Sequence, residues 1–181
     1  MKKTISLFVR DHNNTNLVLN QVTPGAEWVA NGEGVATVKL DGTCCLIRDN
    51  VLYKRYDAKR GKTPPTAFEP AQEEPDPHTG HWPGWIPVGA GPEDAAHREA
   101  FHPPYSNGTY ELCGPKIQSN PEKLATHALF RHGERTAFDA PRTFNELATY
   151  FVSKDIEGIV WHHEDGRVVK IKAKDFGIKR T

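Results

Sequence analysis

An amine and a carboxylate two residues apart, closed by a glycine, make Lys39-Leu40-Asp41-Gly42-Thr43 the stretch of this chain best suited to chemistry. Alternate side chains of a strand share a face, so a strand here points Lys39 and Asp41 one way and Val38 and Leu40 into the core. An amine aimed into a polar site beside a carboxylate suits covalent chemistry at phosphorus. A solvated strand face has the same residue types, so the later segments decide between the two.

Four segments come after it in order. Tyr53-Lys54-Arg55-Tyr56-Asp57 is a basic strand soon after the lysine. Tyr110-Glu111-Leu112-Cys113-Gly114 sets a lone carboxylate in an apolar strand. Ile156-Glu157-Gly158-Ile159-Val160-Trp161 opens a hydrophobic strand with a carboxylate. In Val168-Val169-Lys170-Ile171-Lys172 the two lysines share one face, and Val169 and Ile171 fill the other.

Together these segments resemble motifs I, Ia, III, IV and V of the covalent nucleotidyltransferases, the superfamily of ATP-dependent ligases and mRNA capping enzymes. Within it the chain looks most like the RNA 5′-phosphate/3′-hydroxyl ligases of vertebrate type. Val38 to Cys45 (VKLDGTCC), His81 to Val88 (HWPGWIPV) and Ile156 to His162 (IEGIVWH) with Asp165-Gly166 carry that likeness. It runs from about the lysine strand to the C-terminus, and the first thirty residues add little. Two features depart from the wider superfamily. Cys44 stands where DNA ligases and capping enzymes usually carry arginine, and no motif VI or oligonucleotide-binding barrel follows motif V within the 181 residues.

The resemblance implies an ATP-dependent RNA ligase acting in RNA repair, with Mg²⁺ as cofactor and Mn²⁺ as its alternative. It implies RNA with 5′-phosphate and 3′-hydroxyl ends as the partner. Lys39 matches the nucleophile that forms a lysyl-AMP, and Asp41 and Glu157 match carboxylates that engage the metal. Glu111 matches the residue that contacts ribose, and Arg55 the motif Ia cation near the activated nucleotide or the 5′-phosphate. Lys170 and Lys172 match the pair that neutralises α-phosphate charge. Phe130 is a candidate for stacking on adenine, and it fits a core phenylalanine as well. A solvated face remains open for Lys170 and Lys172, and a salt bridge for Glu111. The competing activities are DNA ligation, capping with GTP, and nucleotide or RNA binding without catalysis. A free lysine titrates near ~10.4, so attack at neutral pH asks for a drop of about two to three units. Neighbouring cations, a bound metal included, supply such a drop.

Short strands are expected to position these residues, at Ile5–Val9, Asn16–Asn20, Trp28–Ala30, Val35–Leu40, Cys44–Arg48 and Val51–Tyr56, with a hairpin turn at Asp49-Asn50. A short helix is expected over Pro92 to Ala100. Thr143-x-x-Glu146 reads as a capping box opening a helix from Phe144 to Lys154, its apolar face Phe144, Leu147, Ala148, Phe151 and Val152. Between Pro64 and Pro92 lie eight of the fourteen prolines, with Trp82 and Trp85. That segment reads as an insertion of about 64–92, either a lid or RNA-contacting loop or a surface loop pinned by its tryptophans. Gly61-Lys62-Thr63 mimics the end of a P-loop, but Tyr56 replaces the first glycine and Pro64-Pro65 blocks the helix.

The fold class expected is α+β: one nucleotidyltransferase (adenylation) domain over 1–181, of antiparallel sheets flanked by a few helices, without an OB domain. With 37% apolar and 25% charged residues, the composition is that of an ordinary soluble protein. No apolar run approaches membrane-spanning length, and Met1-Lys2-Lys3 leads into a strand and not a signal sequence. Three cysteines, two of them adjacent, read as reduced thiols in a cytoplasmic protein, expected to be monomeric. None of the nine histidines lies in a CxxC or HExxH frame, so no structural zinc is indicated, and His162-His163 reads as strand-end polarity. Net charge is zero, yet Lys54 to Lys62 holds five basic residues against one acidic and Arg167 to Arg180 six against one. Either tract can bind a phosphate backbone or simply be a solvated surface.

Overall fold

The computed structural model describes residues 4–77 and 79–180. Met1 to Lys3, assigned above to the approach to a strand, lie outside them. The chain forms two units. One is Thr4–Leu40 with Gly133–Thr181; the other is built from Asp41–His132.

The first unit contains six strands, a short helix and a longer one. They are β1 (Ile5–Ser6), β2 (Phe8–Arg10), β3 (Val18–Val22), α1 (Glu27–Ala30), β4 (Val35–Lys39), α3 (Phe144–Ser153), β11 (Gly158–His162) and β12 (Val168–Lys172). Four strands make a sheet in the order β1-β12-β11-β4; β2 and β3 make a ribbon of their own. The β1–β12 pair is parallel and the other pairs antiparallel, so the sheet is mixed where wholly antiparallel pairing was expected. Its core includes Leu7, Trp28, Leu147, Phe151, Ile159, Trp161, Val169 and Ile171.

Trp28–Ala30, expected as a strand, lies in α1. Ala26 and Val29 are both fully buried and three residues apart, a helical spacing that a short apolar run does not reveal. Arg142 fixes the turn between α1 and β4. Its guanidinium donates to the carbonyls of Val29 at 3.0 Å, Glu33 at 2.5 Å and Gly34 at 2.8 Å, holding the entry to β4. The expected capping box of α3 takes another form: Thr143 Oγ1 donates to the Glu146 carboxylate at 2.6 Å, and neither side chain caps a backbone N–H. Val152, placed above on the apolar face, is exposed, because α3 buries mainly Leu147 and Phe151.

The second unit carries one antiparallel six-stranded sheet, order β10-β9-β5-β6-β8-β7. Its strands are β5 (Thr43–Arg48), β6 (Val51–Ala58), β7 (Glu69–Pro70), β8 (Trp82–Pro87), β9 (Gly108–Cys113) and β10 (Ala128–Arg131). A 3-10 turn, Pro92–Asp94, runs into α2 (Ala95–Ala100), as the sequence suggested. Asp49 and Asn50 both have positive φ, 52° and 57°, which a two-residue turn matching strand twist requires.

HWPGW is no loop. Trp82 to Pro87 is a full strand paired along β6 from Tyr53 to Ala58. Its outer neighbour β7 is two residues long, so β8 lies almost at the sheet edge, where prolines are tolerated. A Cβ on Gly84 would fall on the Phe68 ring and the Glu69 carbonyl, so the close β7–β8 approach depends on glycine. Trp82 Nε1 donates to the Gln72 carbonyl at 2.8 Å and its ring packs on Phe68, so Trp82 pins a strand where both sequence readings expected a loop.

Candidate active site

In the first unit, register sets the geometry. Lys39, the last residue of β4, stands opposite Gly158, and Lys172, the last residue of β12, stands opposite the same glycine from the other side of β11. A Cβ on Gly158 would fall on the Ile171 carbonyl oxygen, so no side chain intervenes. Glu157 precedes Gly158 and reaches both amines. Its Oε2 lies 2.5 Å from Lys39 Nζ and its Oε1 2.5 Å from Lys172 Nζ.

Lys170 lies on the same face of β12 as Lys172, while Val169 and Ile171 are buried on the other, as the alternation required. Burial pushes the Lys170 ammonium down to about 8, helped by the cations Lys172 and Lys39 and opposed by Glu157 and Asp175. Asp175, almost wholly buried, fixes the end of this strand: its Oδ2 accepts the Lys172 N–H at 3.0 Å and its Oδ1 pairs with Arg10 at 2.8 Å. Motif reading missed Asp175, since it lies in a 3-10 turn after the lysines, Ala173–Phe176.

The other unit holds a second polar row. Phe130 of β10 stands opposite Glu111 of β9, and Glu111 opposite Cys44 of β5. Directly paired residues share a face, so the ring, carboxylate and thiol line one side of the sheet. Glu111 is buried and anchored at both oxygens. Oε1 accepts the Gly42 N–H at 3.1 Å, and Oε2 lies 2.8 Å from His132 Nε2. His132 Nδ1 is in turn 2.9 Å from Thr109 Oγ1. Gly42 packs so closely on β9 that a Cβ would fall on the Leu112 carbonyl oxygen. His132 and Thr109 were not singled out in the sequence; only their distance from Glu111 across the strands identifies them.

Arg55 and Lys54 part company on β6. Lys54 pairs in register with core residue Cys45, and its amine lies 2.5 Å from the buried Asp94, so it is a structural cation. Arg55 Nε donates to Asp57 at 3.1 Å, and its guanidinium lies 5.5 Å from the Trp85 ring centroid. Asp41 does not continue the lysine strand. β4 ends at Lys39, so strand alternation does not place Asp41 on the Lys39 face, and the Asp41 N–H donates to Glu122 Oε1 at 3.1 Å within the second unit.

The three cysteines are free thiols, Cys45 and Cys113 buried and Cys44 half-buried. Cys45 lies in the core of the second unit, so Cys44 and its neighbour face opposite ways. Among the described residues no helix is long and apolar enough to cross a membrane.

Residues 100–181 match the family model of RNA ligase 1. Over 80% of the chain, and 67% of the relative, identity is 26% to RNA ligase 1 of Danio rerio and 27% to those of Mus musculus and Rattus norvegicus. The matched segment contains Glu111, Phe130, His132, Glu157, Lys170 and Lys172, while Lys39, Asp41 and Arg55 precede it. The likeness to vertebrate-type RNA ligases read from the sequence is borne out.

Proposed function

We propose that this chain, an RNA ligase by its relatives, joins RNA 5′-phosphate and 3′-hydroxyl ends in three nucleotidyl transfers, in RNA repair. Lys39 Nζ attacks the α-phosphorus of ATP. A nitrogen–phosphorus bond forms, the bond to the β-phosphate oxygen breaks, pyrophosphate leaves and the amine releases a proton. An RNA 5′-phosphate oxygen then takes the AMP from Lys39. Finally a 3′-hydroxyl attacks that phosphate, loses its proton and expels AMP. Splitting one hard substitution into steps through a covalent intermediate lowers each barrier.

The observation that carries this reading is the grouping of Lys39, Glu157 and Lys172 around Gly158. Lys39 needs its lone pair to attack, and Glu157 holds the two amines where charge develops. Lys170 and Lys172 supply positive charge for the α-phosphate oxygens. Glu157 is a hard oxygen ligand of the kind Mg²⁺ takes, with Asp41 as the further carboxylate of that role; the metal would polarise phosphate and draw negative charge from the lysines. In the second unit Glu111 would accept from ribose hydroxyls, Phe130 would stack on adenine and Arg55 would hold phosphate. Three free thiols fit a reducing, cytoplasmic setting.

The test is incubation with α-labelled ATP or GTP and metal, a denaturing gel, and peptide mapping. AMP on Lys39 from ATP is the expected product. GMP labelling returns the capping reading, and labelling by neither leaves a binding module.

A further inference from the structure

The polar row of the six-stranded sheet contains a donor set whose thiol and imidazole have no part in the ligation proposed above. Cys44 Sγ, a Glu111 carboxylate oxygen and a His132 ring nitrogen lie within 4.8 Å of one another. Thiol, imidazole and carboxylate are the ligand types of Zn²⁺ and its neighbours, whereas Mg²⁺ takes oxygen alone. No sequence frame reveals the set, because it is assembled across strands. Cys44 lies on β5, Glu111 opposite it on β9, and His132 just past β10, where its own N–H bonds the Thr109 carbonyl at 3.1 Å.

The support that orients a metal-binding histidine is already present. His132 Nδ1 lies 2.9 Å from the Thr109 hydroxyl. A neutral imidazole has one N–H. When the hydroxyl donates to Nδ1, Nε2–H donates to Glu111 Oε2 across 2.8 Å. When the hydroxyl turns to accept from Nδ1–H, Nε2 presents its lone pair to that same carboxylate, and a cation is what makes the approach favourable. Rotation of one hydroxyl therefore separates a hydrogen-bonded state from a metal-ligating one.

We propose that Cys44, Glu111 and His132 bind a divalent transition ion of the zinc class, with water completing a tetrahedron. Binding sends the Cys44 thiol proton to solvent. The imidazole stays neutral with its proton on Nδ1. Ligand atoms around such an ion are about 3.3–3.7 Å apart, so the wider spacings of the set close by on the order of 1 Å while the 2.8 Å Oε2–Nε2 pair opens. An occupied site withholds Glu111 from nucleotide. That consequence rests on the ribose role given to Glu111 above; the metal site does not.

The experiment adds Co²⁺ to the chelator-treated full chain without nucleotide and follows thiolate-to-cobalt charge-transfer absorption. A one-to-one band is expected. Cys44→Ser and His132→Ala abolish it, Cys113→Ser keeps it, and Thr109→Val weakens affinity about tenfold by removing the orienting hydroxyl. Melting curves of each variant separate ligand loss from misfolding. No band in the wild type, a band surviving in folded Cys44→Ser, or loss of the band in folded Cys113→Ser overturns the proposal. A failed AMP-labelling assay bears on the ligase reading alone, since the band needs no nucleotide.

Discussion

Lys39 and Lys172 face the same residue, Gly158, from opposite sides of β11, and one carboxylate, Glu157, lies 2.5 Å from both amines. Two cations held by one anion are arranged around a position that accepts no side chain. Lys39 is the nucleophile in this reading, so Lys39→Ala abolishes AMP attachment, and Lys39→Arg does too, because a guanidinium does not shed its proton. Full labelling of either variant by radioactive ATP would remove Lys39 from the mechanism.

Glu157→Ala tests the carboxylate. Its removal leaves two partly buried amines without their anion and takes away the metal ligand proposed above. AMP labelling is expected to fall by on the order of 10²-fold, with melting lowered by only a few degrees. A drop of many degrees with labelling intact would make Glu157 a structural ion-pair partner and nothing more.

Gly158→Ala separates backbone from charge. The added methyl would land on the Ile171 carbonyl oxygen, so β11 and β12 must move apart. Overpacking of this kind costs about 1–3 kcal/mol. Urea denaturation of the variant measures it, and an unchanged midpoint would show that the strands yield freely.

These relations show which parts of the molecule were legible beforehand. Alternation in Val168 to Lys172 was sufficient to place both lysines on one face, because the strand lies over a core that takes Val169 and Ile171. The Asp49-Asn50 turn and the span of α3 were equally readable, being local chemistry. Asp41 was not: its side was inferred from a strand assumed to run past Lys39, and the strand ends there. Trp82 to Pro87 concealed a strand behind prolines, tolerated there because its outer neighbour β7 covers only two residues of it. His132 and Asp175 act on Glu111 and Lys172 through tertiary or turn contacts, which have no sequence period.

Lys170 gives a pH prediction. Its folded value is about 8 against an ordinary 10.5, so between those values the unfolded chain holds the proton more often. Stability therefore rises with pH through that window, and below about 8 the buried ammonium is a constant penalty. Lys170→Met removes both. Its stability relative to wild type is expected to be higher at pH 7 and to lose that advantage by pH 10.5, as read from urea midpoints across the range. A difference constant with pH would show that Lys170 titrates alike folded and unfolded.

The last prediction concerns RNA. Lys59, Arg60 and Lys62 are exposed and line one pocket of about 340 Å³ beside Trp82. Lys54, from the same basic tract, is committed to Asp94 and is not available to phosphate. Three cations on one pocket are suited to following a backbone, and each neutralised phosphate of a single strand contributes about 0.7 to the logarithmic salt dependence. Replacing all three by alanine should lower the slope for single-stranded RNA binding by about 2 and leave AMP labelling in place. A backbone contact does not by itself tell RNA from DNA, so selectivity must come from 2′-hydroxyls at the join. Sealing is accordingly expected with an all-RNA substrate and with a ribose at the 3′-hydroxyl end, and is expected to be poor when both strands are DNA. Matched substrates assayed at several salt concentrations decide it. Equal rates on RNA and DNA would return DNA ligation to the front, and an unchanged salt slope in the triple variant would move the phosphate path away from this pocket.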